Sequence, residues 1–204
     1  MARTQAKDYL DKRMHILDVA TGLFADKGFH ATSISDIAEA CDTSKSRLYH
    51  YFVSKEQLLF EILHSHACGL RDIFAPMSER GNMDAAQILE TFAAQLIFKN
   101  ITSRAQHKLI LGELDALSEP HRTEIAGLLR QPIESIYGIL AEINPQLATH
   151  ASTKFPVAMM LIGMINWTHT WFSKDGELSP EVFAKLLSQT FIRGFANVDL
   201  PTQN

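Results

Sequence analysis

The sequence predicts an all-α protein: an N-terminal three-helix helix-turn-helix domain followed by a larger helical domain, about nine helices in all. Three observations predict it. Apolar residues recur at spacings of three and four nearly throughout, helix-start and helix-stop residues interrupt that pattern at short intervals, and no alternating run reads as a strand. With 204 residues, 46% of them hydrophobic and 21% charged, the chain is long and apolar enough to bury a core.

Ile16, Val19, Ala20, Leu23 and Phe24 line one face of a helix expected from Tyr9 to Gly28, a residue suited to the left-handed position after a helix. Ser33 caps a short helix, Ile34 to Cys41, with Asp36 favouring its N-terminus. Ser44 caps another, Lys45 to Phe52. Ser54 and Gln57 have the spacing of a capping box and open a fourth helix that runs to about Ala75, before Pro76. Asp84 caps a helix to about Asn100, and Ser103 one to Leu117. Pro120 suits the first turn of the next, kinked near Pro132 and closed before Asn144-Pro145. A strongly apolar helix is expected from Thr153 to Phe172, and Ser179-Pro180-Glu181 opens a last one to about Ala196.

The formal net charge is −4, which by itself argues against nucleic acid, but its distribution is uneven. Residues 1–55 hold eight Lys/Arg and seven Asp/Glu; the remainder holds eleven and sixteen. A mildly basic module on an acidic body fits local phosphate contact without general stickiness. Cys41 and Cys68 lie in apolar-periodic segments and read as buried thiols of a reducing compartment. The segment from Met1 to Arg13 lacks the apolar stretch of a signal peptide, and Phe155–Ile165 is too short to span a bilayer. A cytoplasmic protein with no membrane partner is expected. His64 and Cys68 share a helix face, but no third metal ligand is near in sequence, so no metal site is assigned. There is no glycine-rich phosphate loop, no G-x-S-x-G and no H-E-x-x-H, so neither an enzyme nor a cofactor is expected.

The connection Cys41-Asp42-Thr43-Ser44 joins two short helices as the turn of a helix-turn-helix does. In that motif the second helix enters the DNA major groove. Leu48 and Phe52 share one face of that helix and are expected to pack inward, on Ile37 and Phe24. Lys45, Ser46 and Tyr49 then point outward, with Arg47, His50 and Tyr51 beside them, and each can hydrogen-bond to a base or a phosphate. The helix starts at Thr32-Ser33 and Ser44 offer backbone N–H groups to phosphate, and Lys55 adds charge at the same edge. These residues are compatible with DNA reading, with a helical hairpin whose polar face is merely solvated, and with an adaptor that binds protein.

The segment from Ile16 to Leu59 resembles, without a gap, the DNA-binding domain of the TetR family of regulators. The likeness is carried by Ala20, Leu23-Phe24, Lys27-Gly28-Phe29, Thr32-Ser33-Ile34, Asp36-Ile37-Ala38, Ser44-Lys45-Ser46, Leu48-Tyr49-His50-Tyr51-Phe52 and Ser54-Lys55-Glu56-Gln57-Leu58. One departure is Asp42-Thr43, where the family usually has glycine and then a small apolar residue; aspartate tolerates the left-handed backbone better than most. Met1-Ala2-Arg3-Thr4-Gln5-Ala6 with Asp8-Tyr9, and Ile165-Asn166-Trp167-Thr168 with Trp171-Phe172, further resemble regulators of phenylacetate and related acid-degradation genes, whose effectors are acyl-CoA thioesters.

The resemblance implies a DNA-binding domain over 1–54 and a helical ligand-binding and dimerisation domain over 55–204. It implies a repressor that binds double-stranded operator DNA as a homodimer and is released by a small-molecule effector. That effector is an aryl- or acyl-CoA thioester, or alternatively a free hydrophobic compound or drug. Dimerisation is expected through the last two helices, with Phe183, Leu187, Thr190, Phe191 and Gly194 on a broad face of the last. Met160, Met164, Trp167 and Trp171, with the polar Asn166, are the candidate effector contacts; the same apolar side chains also suit core filling. Arg104, Lys108 and Arg122 are candidate partners for the phosphates of a CoA ligand.

Overall fold

The computed structural model describes residues 2–74, 81–149 and 151–198. Ala75 and Pro76, where the fourth helix is expected to end, lie outside them. Within the described residues the regular structure is entirely helical, as the class predicts. In order these are α1 (Ala2–Lys27), α2 (Ile34–Ala40), α3 (Lys45–Tyr49), α4 (Lys55–Phe74), α5 (Ala85–Thr102) and α6 (Arg104–Gly112). A 3-10 turn (Leu114–Ala116) follows, then α7 (Glu119–Ile143), α8 (Gln146–Thr149), α9 (Ala151–Asn166), α10 (Thr168–Trp171) and α11 (Pro180–Phe195).

The caps lie where residue chemistry puts them. Ser33 and Asp36 form a reciprocal capping box on α2, and Asp84 and Gln87 form one on α5. Ser44 and Ser179 accept from Arg47 N–H and Val182 N–H. Gly28 ends α1 at φ +89°. The departures have physical causes. α1 begins at Ala2 rather than near Tyr9 because helix propagation from an established nucleus is cheap for Ala, Arg, Gln and Lys, which leave no apolar stripe to read. α3 stops at Tyr49, where His50 and Tyr51 donate three residues back, to Arg47 and Leu48 carbonyls. Ser54 Oγ accepts from Gln57 N–H as expected, but the Gln57 side chain reaches Val53 N–H instead of the cap's own. Ser103 closes α5 through its N–H to Lys99 O, and α6 ends at Gly112 instead of running to Leu117. The long apolar helix is split at Trp167, where the Thr168 hydroxyl and the Asn100 amide both donate to the Ile165 carbonyl.

The chain forms two compact units, residues 1–66 with 105–125, and 67–104 with 126–204. In the first, α2 packs on α1 and α3 on α2. Its buried side chains include Ile16, Ala20, Phe24, Ile37, Leu48, Phe52, Leu59 and Leu109. Burying such side chains is worth about 1.5–3 kcal/mol each, which drives the short helices to hold a shape they could not keep alone. Segment 105–125 is fastened to the N-terminal helices by polar contacts. Lys108 Nζ donates to Ala25 O (2.5 Å), at the end of α1, and Phe29 N–H donates to Glu113 Oε1 (3.3 Å). Ser118 N–H donates to Glu56 Oε1 (2.8 Å), and the His121 ring stacks on Phe60 with centroids 3.9 Å apart. His66 and His107, both buried, approach to 3.3 Å.

In the second unit, α11 lies along α5, and α9 and α10 also contact α5. Its core takes Leu89, Phe92, Leu96, Ile139, Leu140, Leu161, Ile165, Leu187 and Phe195. The buried Asn144 amide donates to Phe195 O (2.9 Å) and Val198 O (3.2 Å), tying the end of α11 to the end of α7.

Candidate nucleic-acid interface

The second short helix of the pair is held by its apolar side. Leu48 is fully buried and Phe52 nearly so, and this fixes which way the rest of α3 faces. Lys45, Ser46, Arg47, Tyr49 and His50 are all exposed. At the turn, Asp42 adopts φ +49°, the conformation glycine would otherwise supply. Ser33 and Ser44, the caps of α2 and α3, are both exposed. The Asp36 carboxyl is held below its ordinary pKa, first by Ser33 N–H and then by the Ser33 hydroxyl, so the cap is ionised at neutral pH. The face presents cations, hydroxyls, an imidazole and a phenol with no large apolar group among them. It can donate to phosphate oxygens and to base acceptors.

Two of the expected contacts have partners within the chain. Thr32 is 1% exposed, and its hydroxyl donates to Gly28 O and Leu23 O, which closes the α1–α2 connection. Lys55 is half-buried; its ammonium donates to Phe29 O (2.7 Å) and Thr32 O (2.8 Å) and lies 4.3 Å above the Phe29 ring. That is a clamp on the same connection. Tyr51, half-buried, stacks its ring on Tyr9 of α1, with centroids 4.8 Å apart. Lys12 and His15 of α1, with Asp42, Thr43, Arg47 and Tyr51, line a cleft of about 140 Å³ beside α3. The reading of the sequence missed Tyr9, Lys12 and His15. The signal was present, since Tyr9 and Lys12 continue the stripe of Ile16 and Ala20 toward the N-terminus.

In the second unit the candidate residues divide differently from expectation. Leu187 is 5% exposed and packs in the core of this unit. Phe183 and Phe191 are half-buried against that core, whereas Thr190 and Gly194 are exposed. Met160, Met164, Trp167 and Trp171 are also exposed, Trp167 by 66%, and Asn166 is half-buried at the end of α9. The candidate phosphate-binding cations are engaged within the chain. Arg104 donates to Phe172 O, Lys108 to Ala25 O, and Arg122 pairs with Glu119.

Residues 16–62 match the model of the tetR family of bacterial regulatory proteins, and residues 82–195 match that of the tetracyclin repressor-like C-terminal domain. Among similar proteins is an HTH-type transcriptional repressor, KstR2 of Rhodococcus jostii, 38% identical over 190 residues that cover 91% of this chain and 92% of the relative. A TetR-family regulator from Bordetella parapertussis superposes with a TM-score of 0.84 at 34% identity, covering 93% of this chain and 98% of the other. AibR, solved in complex with isovaleryl coenzyme A and operator DNA, superposes with a TM-score of 0.68 at 25% identity over 89% of this chain and 96% of the other. No helix among the described residues is long and apolar enough to cross a membrane. With both halves matched in order and the α3 face built as described, the chain belongs to the TetR family of DNA-binding transcriptional regulators.

Proposed function

We propose that this protein is a homodimeric repressor that reads a near-palindromic operator through α3 and is released from it by a small-molecule effector. The observation that carries the reading is the α3 face: Lys45, Ser46, Arg47, Tyr49 and His50 exposed on a helix pinned by buried Leu48 and Phe52. Two copies related by a twofold axis would put their α3 helices in successive major grooves, about 34–36 Å apart. Residues 1–54 carry DNA contact in this reading, and 55–204 carry pairing and effector binding.

The outward face of α9–α10 is the partner surface. Met160, Met164, Trp167 and Trp171 are exposed by 41–66%, at spacings of three and four that share one side, and α11 adds exposed Val182 and Leu186. This assignment takes the methionines and tryptophans from the effector and gives them to the dimer. Support for a coenzyme A thioester as effector comes from the likeness to AibR, whose structure holds isovaleryl coenzyme A. The internally engaged Arg104, Lys108 and Arg122 favour the alternative, an effector without phosphates. Both readings are tested together. A duplex selected by the protein from a random pool is bound, and release is followed by fluorescence anisotropy with phenylacetyl-CoA, medium-chain acyl-CoA, and the matching free acids. Release by thioesters alone supports the CoA reading; release by free acids alone supports the alternative. Failure of any duplex to be selected overturns the repressor.

A further inference from the structure

A long exposed stretch at the start of a helix needs a reason. Residues 6–12 of α1 are exposed throughout, and Ile16 is the first buried position among the described side chains. Yet this extension is fixed to the DNA-reading module at two points. Tyr9 stacks on Tyr51, directly after α3. Arg13 pairs with Glu61 and lies 4.7 Å above the Phe52 ring. The cleft lined by Lys12, His15, Asp42, Thr43, Arg47 and Tyr51 shares Tyr51 with the first of these points.

The size and lining of the cleft select its ligand. At about 140 Å³ it is well below the roughly 300–1,000 Å³ of clefts that take drug-sized molecules. It suits a single tetrahedral oxyanion. Lys12 and Arg47 bring two permanent positive charges, Thr43 and Tyr51 bring hydroxyl donors, and Asp42 is the one carboxylate. Burial pushes the Cys41 thiol up, so this lining residue carries no negative charge at neutral pH. The Lys12–Asp8 pair, 2.8 Å apart, is solvent-exposed, and such pairs are weak enough to be exchanged for a better anion.

We propose that this cleft seats a backbone phosphate of the operator, held by Lys12, Arg47 and the Tyr51 hydroxyl, which makes α1 a DNA-contacting element beside α3. The proposal rests on the DNA-binding reading above and deepens it. Tyr9 is then a positioning residue, since its stack holds the Tyr51 ring and hydroxyl at the cleft. Asp42 opposes the anion and limits non-specific affinity.

The test is the salt dependence of binding by the full-length protein, measured on a duplex it selects from a random pool and on an arbitrary duplex of equal length. Lys12→Gln is compared with wild type and with Lys185→Gln, which removes the same charge from an exposed site on α11. Each phosphate neutralised contributes about 0.9 to the slope of log affinity against log salt, so two copies should lose about 2. Lys12→Gln is expected to flatten the slope by that amount, weaken both duplexes alike by about tenfold or more at 0.1 M salt, and leave helicity unchanged. Tyr51→Phe keeps the ring stack and removes the hydroxyl; it should weaken binding several-fold with the slope intact. Asp42→Asn should strengthen binding to the arbitrary duplex. A wild type with no salt-dependent binding overturns the DNA reading and this proposal with it. A steep wild-type slope that Lys12→Gln shares with Lys185→Gln overturns the phosphate seat alone. Inorganic phosphate, at matched ionic strength, should displace duplex from wild type better than chloride does but not from Lys12→Gln, because the free and backbone phosphates compete for one seat. The seat is overturned if phosphate binds wild type through Lys12 yet displaces duplex no better than chloride, which would mark a site for free anion only.

Discussion

Trp167 and Leu187 sit on the last helices and respond oppositely to an introduced charge. Trp167 is 66% exposed in the protomer, while Leu187 is 5% exposed and packed in the core. A tryptophan presents about 150–250 Å² to burial, so two-thirds of it leaves about 100–165 Å² for a partner to cover. At about 25 cal/mol per Å² that is about 2.5–4 kcal/mol for each protomer, counted twice in a symmetric interface. Interface area converts to affinity at well below that rate, and the expected effect of Trp167→Glu is a rise in dimer dissociation constant of about a hundredfold. Helicity should be retained, because the side chain supports little of its own protomer. Leu187→Glu places a charge where an apolar side chain is enclosed. Loss of leucine burial costs about 2–5 kcal/mol and an unpaired buried charge several more, against a total stability of about 5–15 kcal/mol. That variant should lose its cooperative unfolding transition rather than split into folded monomers. Sedimentation equilibrium from nanomolar to micromolar concentration, with circular dichroism on the same samples, separates the two outcomes. A folded, monomeric Leu187→Glu beside a fully dimeric Trp167→Glu would refute the assignment of faces.

Two further outcomes follow from the polar contacts of the first unit. Lys55→Met removes two charge-assisted hydrogen bonds to Phe29 O and Thr32 O, worth about 1.5–3 kcal/mol each, and should lower Tm by several degrees while leaving the salt slope of DNA binding unchanged; an unchanged Tm with a flattened slope would return Lys55 to the phosphates. Glu56 is held below its ordinary pKa of 4.5, first by Ser118 N–H, then by the Ser118 hydroxyl and by His121. A carboxylate whose folded pKa is depressed stabilises the fold above the unfolded value and loses that contribution as pH falls through the folded one. Glu56→Gln should therefore melt below wild type at pH 7 and converge with it as the pH falls below 4.5 and through the depressed folded value; a constant difference across that range would show that titration of Glu56 contributes nothing.

Local chemistry was legible wherever a residue acts on its own neighbours in sequence. Ser33, Ser44, Asp84 and Ser179 announce helix starts, and Gly28 announces a stop. The outward face of α3 was legible because Leu48 and Phe52 leave one way for the rest to point. Tertiary choices were not. Nothing local says that Thr32 and Lys55 turn inward to satisfy the carbonyls of the α1–α2 connection, since the same residues at a helix start also suit phosphate. Phe183, Leu186, Leu187 and Phe191 form one broad apolar face by periodicity, and only packing on α5 decides that Leu187 is inside and Leu186 outside. The break at Trp167 depends on the Asn100 amide, 65 positions from the carbonyl it meets. The docking of 105–125 depends on contacts 83 and 84 positions apart, Lys108 with Ala25 and Glu113 with Phe29.

The most direct test of the account is duplex binding by Lys45→Ala and Tyr49→Ala, measured by anisotropy on a duplex selected by the wild-type protein. Both side chains are exposed on a helix anchored by other residues, so both variants should keep wild-type helicity and dimerisation. Each is expected to lose about 1–3 kcal/mol of affinity, roughly five- to 150-fold. Unchanged affinity in both variants, with the fold intact, would contradict the claim that α3 reads the DNA.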